Sequence, residues 1–140
     1  MTEKEVIELA KEIIDNNKFA MIGTTSLKGY PNVRALTKMK NEGFEMFYFS
    51  TRADSAKVKQ MKRKNKGCVY FYNADKYQSV MLEGTFLVEK NRDFDIVEIY
   101  KIDHVDPYDF CTIKFITKAM YVYYNFQTIK FSINEIKNRI

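Results

Sequence analysis

Residues 47–67 read FYFSTRADSAKVKQMKRKNKG, and the pattern of apolar residues changes within them. An aromatic run typical of a β-strand comes first, and a short polar turn follows it. The apolar residues then take the spacing of a helix, in a narrow stripe formed by Ala56, Val58 and Met61. Six of the ten residues from 57 to 66 are lysine or arginine. The stretch therefore predicts a strand, a turn and a strongly basic helix.

The chain on either side of this stretch is rich in β-strand patterns. Strands are predicted at residues 18–26, 32–40, 44–51, 67–73, 77–90, 109–117, 119–125 and 128–133. Further helices are predicted at residues 3–16, where Thr2 and Glu5 have capping-box spacing, and at 92–102, with a short helix or frayed turn at 134–140. Gly84 lies inside the longest strand and predicts a bulge or a sharp bend. Many short strands with few helices favour a mainly-β antiparallel barrel or sandwich with flanking helices.

Length and composition indicate one folded domain over residues 1–140. The 140 residues can bury a core, and 46% of them are hydrophobic. The net charge of +5 favours an anionic partner. No stretch approaches the roughly 18 apolar residues that span a bilayer, and the charged N-terminus lacks a signal-peptide pattern. We therefore expect a cytoplasmic protein with no membrane segment.

The positive charge of segment 55–66 has three possible explanations. A nucleic-acid-binding module would use the basic face, but no recognised helix-turn-helix, zinc-finger or RNA-binding pattern accompanies it. A membrane-surface helix needs a broad apolar face, and three apolar positions are too few. A phosphate site needs only local geometry, because the start of a helix presents unpaired N–H groups and a positive dipole end.

The phosphate interpretation rests on residues around the predicted helix start. Ser50 and Thr51 supply hydroxyls, and Arg52, Ser55 and Lys57 follow within six positions. Hydroxyls for hydrogen bonds and cations for charge suit an anionic phosphate. The alternative is an ordinary helix, capped by Asp54 or Ser55 and carrying a solvated basic face.

The two cysteines and the single histidine indicate no metal site. Cys68 and Cys111 lie in strand-like runs, and we expect two buried free thiols. Zinc would need more ligands than these residues supply. We expect a structural or exposed position for His104, and no residue stands out as catalytic.

The order of several short motifs resembles a known family. RALTKM begins at residue 34, FYFST at 47, SAKVKQM at 55, LEGT at 82 and HVDPYDFCTIKFIT at 104. In this order and spacing the motifs resemble the pyridoxamine 5′-phosphate oxidase-like FMN-binding split barrels, and in particular their small general stress protein branch. The resemblance covers about residues 5–135. It implies a six-stranded antiparallel split barrel of Greek-key type, and a homodimer with FMN at the subunit interface.

The resemblance also implies roles for individual residues. The residues expected along the isoalloxazine ring and the ribityl chain are Arg34, Ala35, Leu36 and Thr37. Those expected to follow the flavin on the next strand are Phe49, Ser50 and Thr51. Ser55 and Lys57 would hold the phosphate, with Arg34 and Arg52 as helpers. Gln78 or Ser79 would reach the flavin from the partner subunit.

The C-terminal sequence departs from the full oxidases. Their Arg-x-His element and late Trp have no counterpart here, so oxidation of vitamin B6 is not expected. Tyr121, Tyr123 and Tyr124 stand where relatives often carry Trp, and we expect them to complete the dimer core. The predicted function is an FMN-dependent oxidoreductase with an unknown substrate and NADH or NADPH as possible donor. The alternatives are a non-catalytic flavin or heme binder, an F420 binder, and a nucleic-acid module using helix 55–66.

Overall fold

The computed structural model describes residues 1–90 and 109–139. The helix predicted at 92–102 and the first five residues of the HVDPYDFCTIKFIT motif, including His104, lie outside the described residues. The elements, in chain order, are α1 (Glu3–Asp15), β1 (Phe19–Thr25), β2 (Pro31–Glu42), β3 (Met46–Arg52), α2 (Ala56–Arg63), β4 (Lys66–Asn73), β5 (Gln78–Lys90), β6 (Phe110–Tyr124), β7 (Gln127–Ser132) and α3 (Ile133–Arg139).

Six of the strands close into an antiparallel barrel. Their order is β3-β2-β1-β4-β5-β6, and β6 pairs back with β3. β4 returns beside β1, which gives the 4-1-2-3 order of a Greek key. β7 is an additional strand that extends the sheet from the second half of β6. The prediction of a six-stranded antiparallel split barrel is confirmed.

β6 is one continuous strand of 15 residues, where the sequence predicted two strands separated at Lys118. The prediction of a break was wrong because β5 pairs with β6 along nearly its whole length. The irregularity predicted at Gly84 is present: the register of the β5–β6 pairing shifts between Glu83 and Gly84. A Cβ atom at Gly84 would lie 2.1 Å from the Ile116 carbonyl oxygen, so only glycine fits there.

α1 packs its apolar face against the barrel. Thr2 and Glu5 form the predicted capping box: the Glu5 N–H donates to Thr2 Oγ1 over 3.2 Å, and the Thr2 N–H donates to Glu5 Oε1 over 3.0 Å. The buried face consists of Val6, Ile7, Ala10, Ile13 and Ile14. The apolar residues from which the helix was predicted therefore also hold it against the barrel.

Phenylalanine rings fill the barrel. Phe47, Phe71, Phe86 and Phe115 are almost completely buried, and the rings of Phe86 and Phe115 lie 4.9 Å apart. β4 and β5 supply this core from alternating residues, as period-two patterning predicts, whereas β3 is buried on both faces from Phe47 to Thr51.

α2 lies against β1 and β5 and buries only part of its predicted apolar stripe. Val58 and Met61 are buried, whereas Ala56 is exposed. Only two of the three residues in the stripe are buried, because Ala56 occupies the first helical position, which faces solvent. Within the described part of the chain, no helix combines the length and the apolar character that crossing a bilayer requires.

Candidate functional site

The start of α2 carries a hydroxyl group that the protein itself does not use. Ser55 is the N-cap residue by its backbone conformation, but its side chain makes no capping hydrogen bond. Its Oγ atom is buried and has no hydrogen-bond partner. An N-cap serine ordinarily bonds the second or third N–H of its helix. The ordinary cap, offered as an alternative from the sequence, is therefore absent at Ser55.

Lys57 lies in the first turn of the same helix and is half-buried. Its Nζ atom donates a hydrogen bond to Thr51 Oγ1 over 3.0 Å. Burial lowers the pKa of Lys57, and the nearby charge of Arg34 lowers it further. The effect of Arg34 indicates that two cations share this end of the barrel.

Arg34 enters the site from β2. Its guanidinium donates to Thr24 Oγ1 over 2.5 Å and to Gln60 Oε1 over 3.2 Å. Burial lowers the pKa of this group as well. We call Thr24, Arg34, Thr51, Ser55, Lys57 and Gln60 the cradle.

The cradle contains two cations and no acidic side chain. None of the ion pairs among residues 1–90 and 109–139 includes Arg34 or Lys57. Partly buried charges lose hydration and are compensated when an opposite charge binds. The arrangement is suited to an anion that accepts several hydrogen bonds.

The side chain of Arg52 forms an ion pair with Asp54. Its Nε atom lies 3.2 Å from Asp54 Oδ1, and the two side chains are 56% and 74% exposed. The pairing occupies both Arg52, predicted to help the phosphate, and Asp54, predicted as a possible cap. A contact between Arg52 and a ligand remains a prediction.

The other predicted residues on β2 and β3 divide between two faces. Leu36 and Phe49 are part of the hydrophobic core, and Thr37 and Ser50 are also buried. Leu36 and Phe49 would therefore meet a ligand through the backbone. Ala35 is exposed and pairs with Met21 on the outer surface of the barrel.

Gln78 and Ser79 lie at the start of β5, apart from the cradle. Gln78 lines a depression with Asn17 and Tyr72, and Ser79 lines another between Tyr70 and Tyr123. The structure does not bring them together with the cradle in one chain. The resemblance assigns them to the cleft of a partner subunit, which remains a prediction.

Ser79 belongs to an aromatic surface that we call the outer sheet face. It comprises Tyr70, Tyr72, Met81, Tyr121 and Tyr123, which are in register across β4, β5 and β6. The rings of Tyr70 and Tyr72 stack 6.1 Å apart, and the Tyr121 hydroxyl donates to Glu83 Oε1 over 2.8 Å. Tyr124 instead is buried.

A groove of about 620 Å³ lies on the outer surface, beside the outer sheet face. Its wall includes Thr24 of the cradle, Met81 of the outer sheet face, and Val33 and Cys68 between them. Both thiols are free, as predicted, but only Cys111 is buried; Cys68 is half-buried, so the prediction of two buried thiols was wrong for Cys68. The exposure of Cys68 follows from its place on the outer surface, opposite Gly23 of β1.

Sequence reasoning missed Thr24 and Gln60. Thr24 is a buried polar residue in an otherwise apolar strand pattern. Gln60 is an uncharged polar residue between Val58 and Met61 on a helix otherwise dominated by lysine. Both departures from the local pattern were visible signals of a polar network.

Comparison with known proteins gives the family. The model of the pyridoxamine 5′-phosphate oxidase family matches residues 6–134, which is most of the chain. The chain therefore belongs to this family. No curated protein sequence matches it significantly.

Solved structures support the fold. A protein from Clostridium acetobutylicum related to general stress protein 26 is 29% identical, with a TM-score of 0.86 over 96% of this chain and 99% of that one. A heme-binding protein from Mycobacterium smegmatis is 12% identical, with a TM-score of 0.70 over 94% and 60%. A pyridoxamine 5′-phosphate oxidase-related, FMN-binding protein from Nostoc punctiforme is 11% identical, with a TM-score of 0.60 over 93% and 94%.

Proposed function

We propose that this protein is an FMN-binding oxidoreductase that acts as a homodimer. The observation that carries the proposal is the unpartnered, buried Ser55 hydroxyl at the start of the helix that bears Lys57. A hydroxyl buried without a partner is unfavourable unless a ligand supplies the missing hydrogen bond. The FMN-binding relative from Nostoc punctiforme makes FMN the first cofactor to test.

The donor set of the cradle fits the phosphate of FMN. Arg34 and Lys57 supply positive charge, while Ser55 and the first N–H groups of α2 supply further donors. Thr51 already accepts from Lys57, and this contact aims the ammonium group. A phosphate dianion can accept several hydrogen bonds and compensate both positive charges.

The groove on the outer surface, whose lining includes Thr24 of the cradle, is the proposed place for the remainder of the cofactor. Its volume of about 620 Å³ and its apolar residues Val33 and Met81 are appropriate for a planar ring system. Ala35, expected along the isoalloxazine ring, is also exposed on the outer surface of the barrel.

Bound FMN would supply the hydride or electron transfer itself, and NADH or NADPH is the proposed donor. The chain's own contribution would be to bind the phosphate, orient the ring in the groove and limit its access to water. Among the described residues no general acid or base is needed for these tasks. The substrate acceptor is unassigned.

The outer sheet face is the proposed dimer interface. Tyr70 and Tyr72 are 36% and 51% exposed on a sheet surface rich in aromatic residues. Such exposed apolar surfaces are typical of protein–protein contacts. In the proposed dimer, this face would bring Gln78 or Ser79 to the partner's flavin. The two free thiols suit a reducing cytoplasm, which is the proposed location.

The first test is the visible absorption spectrum of purified protein, before and after incubation with FMN and removal of the excess. Retained flavin absorption supports the proposal, and steady-state turnover with NADH or NADPH then separates an enzyme from a non-catalytic flavin binder. A protein that cannot be loaded contradicts it. Loading with heme or F420 instead, or binding of nucleic acid at low salt, would favour the corresponding alternative.

A further inference from the structure

We propose that Gln60 is a positioning residue that holds Arg34 with a neutral amide and so keeps the full charge of the cradle available for a phosphate dianion. This inference rests on the proposed function. It concerns how the site distinguishes a phosphorylated flavin from an unphosphorylated one.

Gln60 links α2 to the two neighbouring strands through both ends of its amide. Its Oε1 atom accepts from Thr24 Oγ1 over 2.5 Å and from Arg34 over 3.2 Å. Its Nε2 atom donates to Asn32 Oδ1 over 3.0 Å. Only a side chain with both an acceptor and a donor can make this set of contacts, and glutamine has both.

The network also orients Thr24. Because its hydroxyl proton is given to Gln60, the Thr24 oxygen is left to accept from the Arg34 guanidinium. Arg34 is thereby fixed by neutral acceptors, since its guanidinium also donates to the Ile22 carbonyl oxygen over 3.4 Å. A guanidinium held in this way reaches a ligand with less loss of side-chain freedom.

The neutrality of Gln60 matters because a glutamate would accept the same hydrogen bonds but would also form an ion pair with the Arg34 guanidinium. Among the described residues Arg34 has no acidic partner, and burial lowers its pKa, as expected for a cation without one. A carboxylate at position 60 would compensate Arg34 permanently and compete with the phosphate.

Packing alone does not explain a glutamine at this position. Val58 and Met61 already supply the buried contacts of α2. A partly buried amide is unfavourable unless it is hydrogen-bonded, and here every bond serves Arg34, Thr24 or the strand that carries Arg34. The geometry thus assigns Gln60 to the site.

The experiment compares FMN with riboflavin, which lacks the phosphate, by flavin fluorescence titration of Gln60→Glu, Gln60→Ala and wild type. We expect Gln60→Glu to lower FMN affinity about tenfold or more and to leave riboflavin affinity unchanged. Gln60→Ala removes the anchor but keeps the charge, so its loss of FMN affinity should be smaller. Lys59→Gln is the control, because it removes one positive charge from the exposed side of the same helix.

A purely structural role for Gln60 predicts a different order of the losses in FMN affinity among the variants. Gln60→Ala would then be at least as damaging as Gln60→Glu, both ligands would weaken equally, and the inference would be overturned. If Gln60→Glu does not fold, Thr24→Val tests the same network and should lower the FMN-to-riboflavin affinity ratio. A wild-type protein that binds no flavin removes the proposed function and this inference together, whereas unchanged FMN binding in Gln60→Glu removes this inference alone.

Discussion

Lys57 donates a hydrogen bond to Thr51 across the turn that joins β3 to α2, over 3.0 Å. The contact ties the end of a barrel strand to the first turn of the basic helix. Ser55, whose buried hydroxyl has no partner, belongs to the same short segment, where a phosphate is proposed to bind.

Replacing Lys57 should weaken FMN binding selectively. We expect Lys57→Ala to reduce the affinity by about 1.5–3 kcal/mol, or roughly ten- to hundredfold, because a charge-assisted contact is lost. Riboflavin affinity should not change, since riboflavin has no phosphate. Lys62→Ala, on the exposed face of the same helix, is the control. Equal FMN affinity in the Lys57 and Lys62 variants, measured by fluorescence titration, would refute the assignment.

Ser55 should matter for the ligand and not for the fold. Its hydroxyl makes no hydrogen bond within the chain, so Ser55→Ala should leave the free energy of unfolding unchanged or higher. FMN affinity should fall by about 1 kcal/mol, roughly fivefold.

The matched control is the other N-cap, Thr2. Because Thr2 makes its capping hydrogen bond, Thr2→Ala should lower the free energy of unfolding by about 1 kcal/mol and leave FMN binding intact. Urea unfolding and fluorescence titration of both variants separate the two roles. Destabilisation by Ser55→Ala would show that its hydroxyl serves the helix after all.

The free energy of unfolding measured without FMN should depend on pH through Lys57. Burial lowers the pKa of Lys57 below its ordinary value of 10.5. Between the lowered folded value and 10.5 the unfolded chain binds more protons, so this contribution to stability rises with pH. Wild type should therefore gain stability relative to Lys57→Met as the pH approaches 10.5. Urea unfolding of both proteins across the alkaline range measures the difference, and a constant difference would contradict the prediction.

A charge at the centre of the outer sheet face should break the proposed dimer. Met81 lies between Tyr70 and Tyr121 in the register of β4, β5 and β6. We expect Met81→Arg to be monomeric by analytical ultracentrifugation, because a buried unpaired charge at an interface is strongly unfavourable. FMN affinity should fall with the dimer if the partner completes the site. A wild-type monomer, or a variant that stays dimeric, would reject this interface.

Local patterns predicted much of the fold correctly. The capping box of Thr2 and Glu5, the apolar face of α1 and the bend at Gly84 depend on residues close in sequence. The proximity of Ser55 and Lys57 could also be anticipated, because one short strand–turn–helix segment contains both. These features could be predicted because they depend on residue type and on short distances along the chain.

Features that depend on distant partners were not predictable. Gln60 meets Thr24, which is 36 residues away, because α2 packs against β1. The continuity of β6 through Lys118 results from its long pairing with β5. Arg52, expected to help the phosphate, is a different case: it pairs with Asp54, only two residues away, so here a local alternative was overlooked. Residue types and short-range spacing thus predicted the individual strands and helices and the phosphate-site candidates, and the split barrel itself was implied by the family resemblance. Packing in three dimensions decided which polar side chains meet, because hydrogen bonds between distant residues form only after the strands and helices have packed.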